Sequence, residues 1–194
     1  MSSEIKDTRT QILEATWYLM EKGQGQGVRM SDIAKAVGIS RQAIYLHFSN
    51  RTELLIATTH YVDEVKGLQE KLNQLQSATS GTNLLTKAID VWGNYIPEIY
   101  GIAKALLSTR ETDEAADAAW NDVMGCLKEA CQEIIDVLEK EGTLSTDMTK
   151  EESVEMLWTQ LSIQNWEQLT RDSGWTTEQY VVAMKKILIR TFID

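Results

Sequence analysis

Proline occurs once in this chain of 194 residues, at Pro97, and that scarcity constrains the fold more than any other feature. Sheet proteins alternate apolar and polar residues between turn signals, and no stretch here does so. Apolar residues recur instead at helical spacing. Ile12, Leu13, Thr16, Trp17, Leu19 and Met20 share one face of a helix that should end in the glycine-rich run from Lys22 to Gly27, where glycine tolerates a left-handed cap. The spaced glycines resemble a phosphate loop only superficially, since no strand precedes them and no Lys-Ser/Thr follows. Asn50, with Glu53 three residues on, reads as a reciprocal cap opening a long helix to about residue 76, before the breaker at 77–81. Helical patterns follow at about 84–95, 99–107, 115–139, 151–170 and 178–192, separated by Pro97 and by segments near 109–113, 142–149 and 172–177. The expected class is all-α, a small N-terminal unit followed by a larger helical bundle.

Charge is unevenly distributed, which bears on partners. The formal net charge is −10, wrong at first sight for a chain that meets nucleic acid. Residues 1–60, however, carry seven Lys/Arg and six Asp/Glu, whereas the remainder carries twelve and twenty-three. The near-neutral end can present a local basic face to phosphate, and the acidic remainder would be repelled. No apolar run is long enough to span a membrane and no apolar leader opens the chain, so a cytoplasmic protein without membrane association is expected. Cys126 and Cys131, five apart on an expected helix, point in different directions and read as two reduced thiols.

The most informative stretch runs from Met30 to Phe48. Ile33, Ala34 and Val37 form one face of a two-turn helix, Gly38 sits at a sharp turn with Ile39 tucked beneath it, and Ser40 can cap a second helix. Ile44 and Phe48 return to the same core at i, i+4 spacing. Alanine lets the helices approach, glycine makes the turn, and the branched residue packs between them, as in a helix-turn-helix. The second helix, about Ser40 to His47, would then read the major groove. Arg41 and Gln42 suit guanine and adenine, while Tyr45, His47 and Arg51 suit phosphate. An αα-hairpin with an incidentally polar face has the same spacing.

Residues from about Arg9 to Leu55 resemble the N-terminal domain of the TetR family of regulators. The shared pattern is Arg9-x-x-Ile12-Leu13-x-Ala15, Gly27, Ile33-Ala34-x-x-x-Gly38-Ile39-Ser40, Ile44-Tyr45-x-His47-Phe48 and Arg51-x-x-Leu54-Leu55. The resemblance implies an N-terminal three-helix, helix-turn-helix DNA-binding domain at 1–50 and a C-terminal helical effector-binding and dimerisation domain at 51–194. It assigns contact with double-stranded operator DNA to Arg29, Ser31, Ser40, Arg41, Gln42, Ala43, Tyr45, Leu46, His47 and Arg51. Two departures stand out. Arg29 occupies a place that often holds a capping Thr or Ser, so that Ser31 or Arg29 must serve there, and Arg51 replaces the usual lysine.

In this family the last two long helices pair with those of a second subunit. The segments 151–170 and 178–192 are the counterparts, with Leu157, Leu161, Met184, Leu188 and Phe192 as expected homodimer-interface residues; packing within one chain is the competing reading. The resemblance also implies a pocket for a small organic effector. Trp92, Tyr95, Trp120 and Trp166 are its candidate lining, and nearby Asp90 and Glu98 favour a cationic ligand. The same rings at helical spacing serve equally as core.

Nothing supports an enzyme, a metal site or a cofactor. His47 and His60 are the only histidines, and paired carboxylates such as Glu151-Glu152 fall in solvated linkers. The expected function is a sequence-specific transcriptional regulator, a repressor released from its operator by the effector. The alternative is a helical ligand- or protein-binding module that no longer binds DNA.

Overall fold

The computed structural model describes residues 7–23 and 27–193. The described residues are helical almost throughout, with extended pairing limited to an isolated bridge between Leu144 and Ile193. The chain order is α1 (Thr8–Lys22), α2 (Met30–Val37), α3 (Arg41–Tyr45), α4 (Arg51–Val65), α5 (Leu68–Leu72), α6 (Gly81–Thr109), α7 (Glu114–Glu141), α8 (Lys150–Gln160), α9 (Ile163–Glu167) and α10 (Thr177–Phe192). A 3-10 turn at Asn73–Ser77 follows α5, and a π segment at Gln168–Asp172 follows α9. None of the described helices is long and apolar enough to cross a membrane.

Two compact units emerge from the packing. The first comprises the described residues of Met1–Lys66 and Ile99–Val123, the second those of Gly67–Glu98 and Met124–Asp194. Packing thus cuts the chain differently from the functional division expected at residue 50, because α4 packs on α1 and shares its core. In the first unit Ile12, Leu13, Ile33, Ile44, Phe48, Leu54 and Leu55 are almost wholly buried. Thr16 and Thr58 join that core by donating to the carbonyls of Ile12 and Leu54 on their own helices, which satisfies hydroxyls that burial would otherwise strand. In the second unit Leu85, Ile89, Tyr95, Ile96, Ile135, Leu138, Leu157, Tyr180, Leu188 and Phe192 fill the interior.

Several expected boundaries differ. The expected break at Pro97 is absent, and α6 runs through it. A proline inside a helix costs roughly 3 kcal/mol. Here buried Tyr95 and Ile96 precede it, Ile99 and Ile102 follow it, and their burial offsets that cost while the ring itself faces solvent. The helix opened by Asn50 stops at Val65 rather than near residue 76, because Gly67 adopts a left-handed φ of 65°. The expected helix over 151–170 breaks at Leu161, where Ser162 accepts from the Asn165 amide and caps a new helix. Helix α1 does end at Gly23, though in right-handed geometry (φ −72°). Residues 24–26 of the glycine-rich run lie outside the described residues.

Candidate nucleic-acid interface

Helix α2 ends where Gly38 takes φ 78° and ψ 27°, a left-handed cap whose amide donates to the Ala34 carbonyl at 2.9 Å. The Ile39 amide reaches the same oxygen at 3.0 Å, so the chain reverses within two residues. Ser40 then caps α3, its hydroxyl accepting from the Ala43 amide at 3.1 Å. The five residues of α3 continue as a hydrogen-bonded turn, with the Phe48 amide donating to the Ile44 carbonyl at 3.0 Å. Ile44 and Phe48 are buried, and the Arg9 guanidinium lies 5.0 Å from the centre of the Phe48 ring.

With those two side chains turned inward, the opposite face is left to solvent. Ser40, Arg41, Gln42, Tyr45, Leu46 and His47 are exposed, and Ala43 is half-buried. Leu46 stands out, at 86% exposure for an aliphatic side chain. On α2, Arg29 and Ser31 are also exposed. Neither caps the helix: Arg29 occupies the cap position with no side-chain bond, and only its carbonyl serves, accepting from the Asp32 and Ile33 amides. A cleft open to solvent is lined by Arg29, Ser31, Arg41, Arg51 and Asp113, so the cations Arg29 and Arg41 share one space with an Arg51 that Asp113 already pairs.

Arg51 behaves otherwise than its expected phosphate role suggests. At the first position of α4 its guanidinium turns inward: Nη1 and Nη2 donate to the two carboxylate oxygens of Asp113 at 2.5 and 2.6 Å, and Nε donates to the Val28 carbonyl at 2.8 Å. Asp113 precedes α7 and also accepts from the Ala115 and Ala116 amides. Burial acts to raise its pKa, but the hydrogen bonds and charge of Arg51, with those amides, outweigh it and hold the carboxyl below the ordinary carboxylate value. Asp113 was not legible as a site residue; its only sequence signal is an aspartate just before a helical pattern. The cap of α4 holds in modified form, Asn50 accepting from the Glu53 amide while Glu53 reaches back to the amide of Ser49 rather than of Asn50.

The four effector candidates divide between the two units. Trp92, Tyr95 and Trp166 belong to the second unit, Trp120 to the first. Trp92 donates its indole N–H to the Leu161 carbonyl at 2.7 Å and tilts against Tyr95, with ring centres 6.3 Å apart. Tyr95, Trp120 and Trp166 are buried, the last beneath the Arg171 guanidinium and Trp120 beneath that of Arg110. Asp90 and Glu98, the carboxylates that favoured a cation, are already paired with Lys185 and Lys71.

The expected interface residues Leu157, Leu161, Met184, Leu188 and Phe192 are all buried inside the single chain, where their stripes form part of the core of the second unit. Met156 on α8 and Val182 and Ile187 on α10 are the exposed apolar side chains of those helices. Among the described residues, no cluster of His, Cys, Asp or Glu is arranged to hold a metal.

Residues 12–58 match the model of bacterial regulatory proteins of the tetR family. That match spans 47 of the 194 residues, so it is the N-terminal segment that is similar to the tetR family. It is 33% identical over 64 residues to the nucleoid occlusion factor SlmA of Marinomonas sp. (strain MWYL1), covering 33% of this chain and 32% of that protein. It is 41% identical over 54 residues to the HTH-type transcriptional regulator TtgR of Pseudomonas putida, covering 28% and 26%. The chain therefore spans about a third or less of the length of these curated relatives. Over nearly its full length the chain resembles the transcriptional regulator FadR from Bacillus subtilis, solved in complex with stearoyl-CoA. That superposition covers 94% of this chain and 98% of the other at a TM-score of 0.73 and 15% identity, a likeness of fold.

Proposed function

We propose that this protein is a sequence-specific DNA-binding transcriptional regulator, a repressor that leaves its operator when a small organic effector binds, and that it acts in the cytoplasm as a homodimer and not as an enzyme. The observation that carries this reading is the face of α3 and its following turn: Arg41, Gln42, Tyr45, Leu46 and His47 exposed together on a frame locked by buried Ile44 and Phe48. A structural hairpin gains nothing from such a face, whereas a groove-reading helix requires it. Arg29, Ser31 and Ser40, with the open start of α2, supply contacts to the phosphate backbone. Ala43 leaves room for a base edge, and Arg51 takes a different part, developed below.

Two such units on a two-fold axis would read paired half-sites. For the pairing surface we assign the outward faces of α8 and α10, with Met156, Val182 and Ile187 at its centre. The effector is assigned to the second unit, against Trp92, Tyr95 and Trp166, whose dense packing means that a ligand must displace side chains to enter; Trp120, in the other unit, is left to the core there. With Asp90 and Glu98 already paired, the charge of the effector is not specified.

The test is titration of the protein into fluorescent duplexes tiling the DNA upstream of its own gene, in parallel with Arg41→Ala and Gln42→Ala. Specific, salt-dependent binding to one duplex that weakens in both variants is the expected result. Equal weak binding to every duplex by all three proteins would reject the reading in favour of a helical module that does not read DNA.

A further inference from the structure

Arg51 touches the start of the reading unit and its end at once. The Val28 carbonyl, which accepts from its Nε, lies one residue before Arg29, the cap of α2. Arg51 itself lies one residue after Asn50, the cap of α4. Helices α2 and α3 are the chain between these two points. A single planar guanidinium thus ties entry to exit, and its other edge is held by both oxygens of Asp113, outside the reading unit in the turn between α6 and α7. The anchor is firm, because Asp113 is fixed by two α7 amides and the two side chains are only 24% and 17% exposed.

Gly27 completes the arrangement. A Cβ at that position would lie 2.8 Å from Asp113 Oδ2, closer than non-bonded atoms tolerate, and that oxygen cannot swing aside without losing Arg51. Glycine is needed here for close approach rather than for an unusual backbone angle.

We infer that Asp113 is a positioning residue for DNA recognition, acting through Arg51 to clamp both ends of the helix-turn-helix, so that the α6–α7 turn governs how α3 is presented. This rests on the DNA-binding reading for its consequence but not for its geometry. Three N–H groups of Arg51 point into the protein, so the arginine works as a strut and not as a reserve phosphate ligand. Asp113 itself touches no DNA.

Two measurements on the full chain test the clamp, with wild type, Asp113→Asn, Arg51→Lys and Gly27→Ala. Asparagine still caps α7, so Asp113→Asn removes the ion pair while keeping the cap. Hydrogen exchange without DNA should accelerate at amides 29–50 in the variants and stay unchanged in α10. Affinity for the upstream duplex should fall about fivefold or more, a typical size for coupling between distinct sites. The slope of affinity against salt should match wild type, since no phosphate contact is lost. Unchanged exchange at 29–50 in Asp113→Asn overturns the clamp. Tighter DNA binding by Asp113→Asn with a steeper salt slope also overturns it, because Asp113 would then be a competitor that withholds Arg51 from phosphate. A wild type that binds no duplex defeats the DNA-binding reading instead, and the exchange result still decides the clamp.

Discussion

Arg41 rests against Tyr45, one helical turn further along α3: Nη2 donates to the phenol oxygen at 3.3 Å, and the guanidinium carbon lies 5.8 Å from the ring centre. Both residues are exposed, so the pair adds little to folding, yet it restricts an arginine whose proposed use on DNA is bidentate. Arg41→Ala should cost about 1–3 kcal/mol on the preferred duplex and flatten discrimination at one base pair. Tyr45→Ala should weaken the same discrimination, and Tyr45→Phe less, because the ring remains. Competition binding against single-base-pair variants measures this. Intact preference in Arg41→Ala would remove Arg41 from the reading face.

Leu188 and Ile187 are neighbours on α10 with opposite fates, 0% and 46% exposed. Ile187→Glu and Val182→Glu should leave the chain folded but monomeric, whereas Leu188→Glu should unfold it by burying an unpaired charge. Sedimentation combined with circular dichroism separates these outcomes. A dimer that persists in the Ile187→Glu, Val182→Glu double variant would move the interface elsewhere.

Gly93 on α6 meets α10 closely: a Cβ there would lie 2.5 Å from Val181 Cγ2 and 3.4 Å from the Tyr180 ring. Alanine is the better helix former by roughly 1 kcal/mol. Overpacking costs about 1–3 kcal/mol. The second effect should win, and Gly93→Ala should lower the midpoint of urea unfolding. A raised midpoint would mean the crossing can widen at no cost.

Tyr180 is wholly buried, and its hydroxyl has no hydrogen-bond partner among the described residues. Burial alone pushes its ionisation above the ordinary tyrosine range. An unsatisfied buried hydroxyl costs on the order of 1 kcal/mol or more, so Tyr180→Phe should stabilise the protein by about that amount in the same urea titration. A loss of stability would reveal a bound water or a partner for the hydroxyl.

Acid should dissolve the Arg51–Asp113 pair in a definite direction. Because the folded pKa of Asp113 lies below the unfolded value near 3.8, the pair contributes fully above that value and is lost as pH falls through the lower one. Wild type should therefore exceed Asp113→Asn in stability at neutral pH, with the gap closing below about pH 4. Unfolding curves at a series of pH values check it, and a gap that widens in acid would contradict the assignment.

The reading unit was legible because its signals are local. Ala34, Gly38, Ser40 and Ile44 act within ten residues of one another, and the turn, cap and buried face they announce are all present. Gly67 and Ser162 were equally local signals, a lone glycine and a cap serine inside apolar patterns, but periodicity carried the expectation across them. Pro97 misled for the opposite reason, since buried neighbours on both sides outweigh one missing amide. The stripes of α8 and α10 announced burial and not its partner: Leu157 and Leu188 look the same in sequence whether a second subunit or their own chain covers them. Arg51 and Asp113 stand 62 residues apart, and no spacing rule connects them.

Leu46, 86% exposed beside a buried core, keeps a full aliphatic side chain hydrated in the isolated protein. In a DNA groove that hydration would be shed, most naturally against the methyl group of a thymine. Calorimetry would register the event as a negative heat-capacity increment, because released apolar hydration is its source. The enthalpy of operator binding would then grow more favourable on warming, and the increment would shrink with uracil in place of thymine at the contacted step. Thermal response and salt response would thus report on different atoms of one short turn.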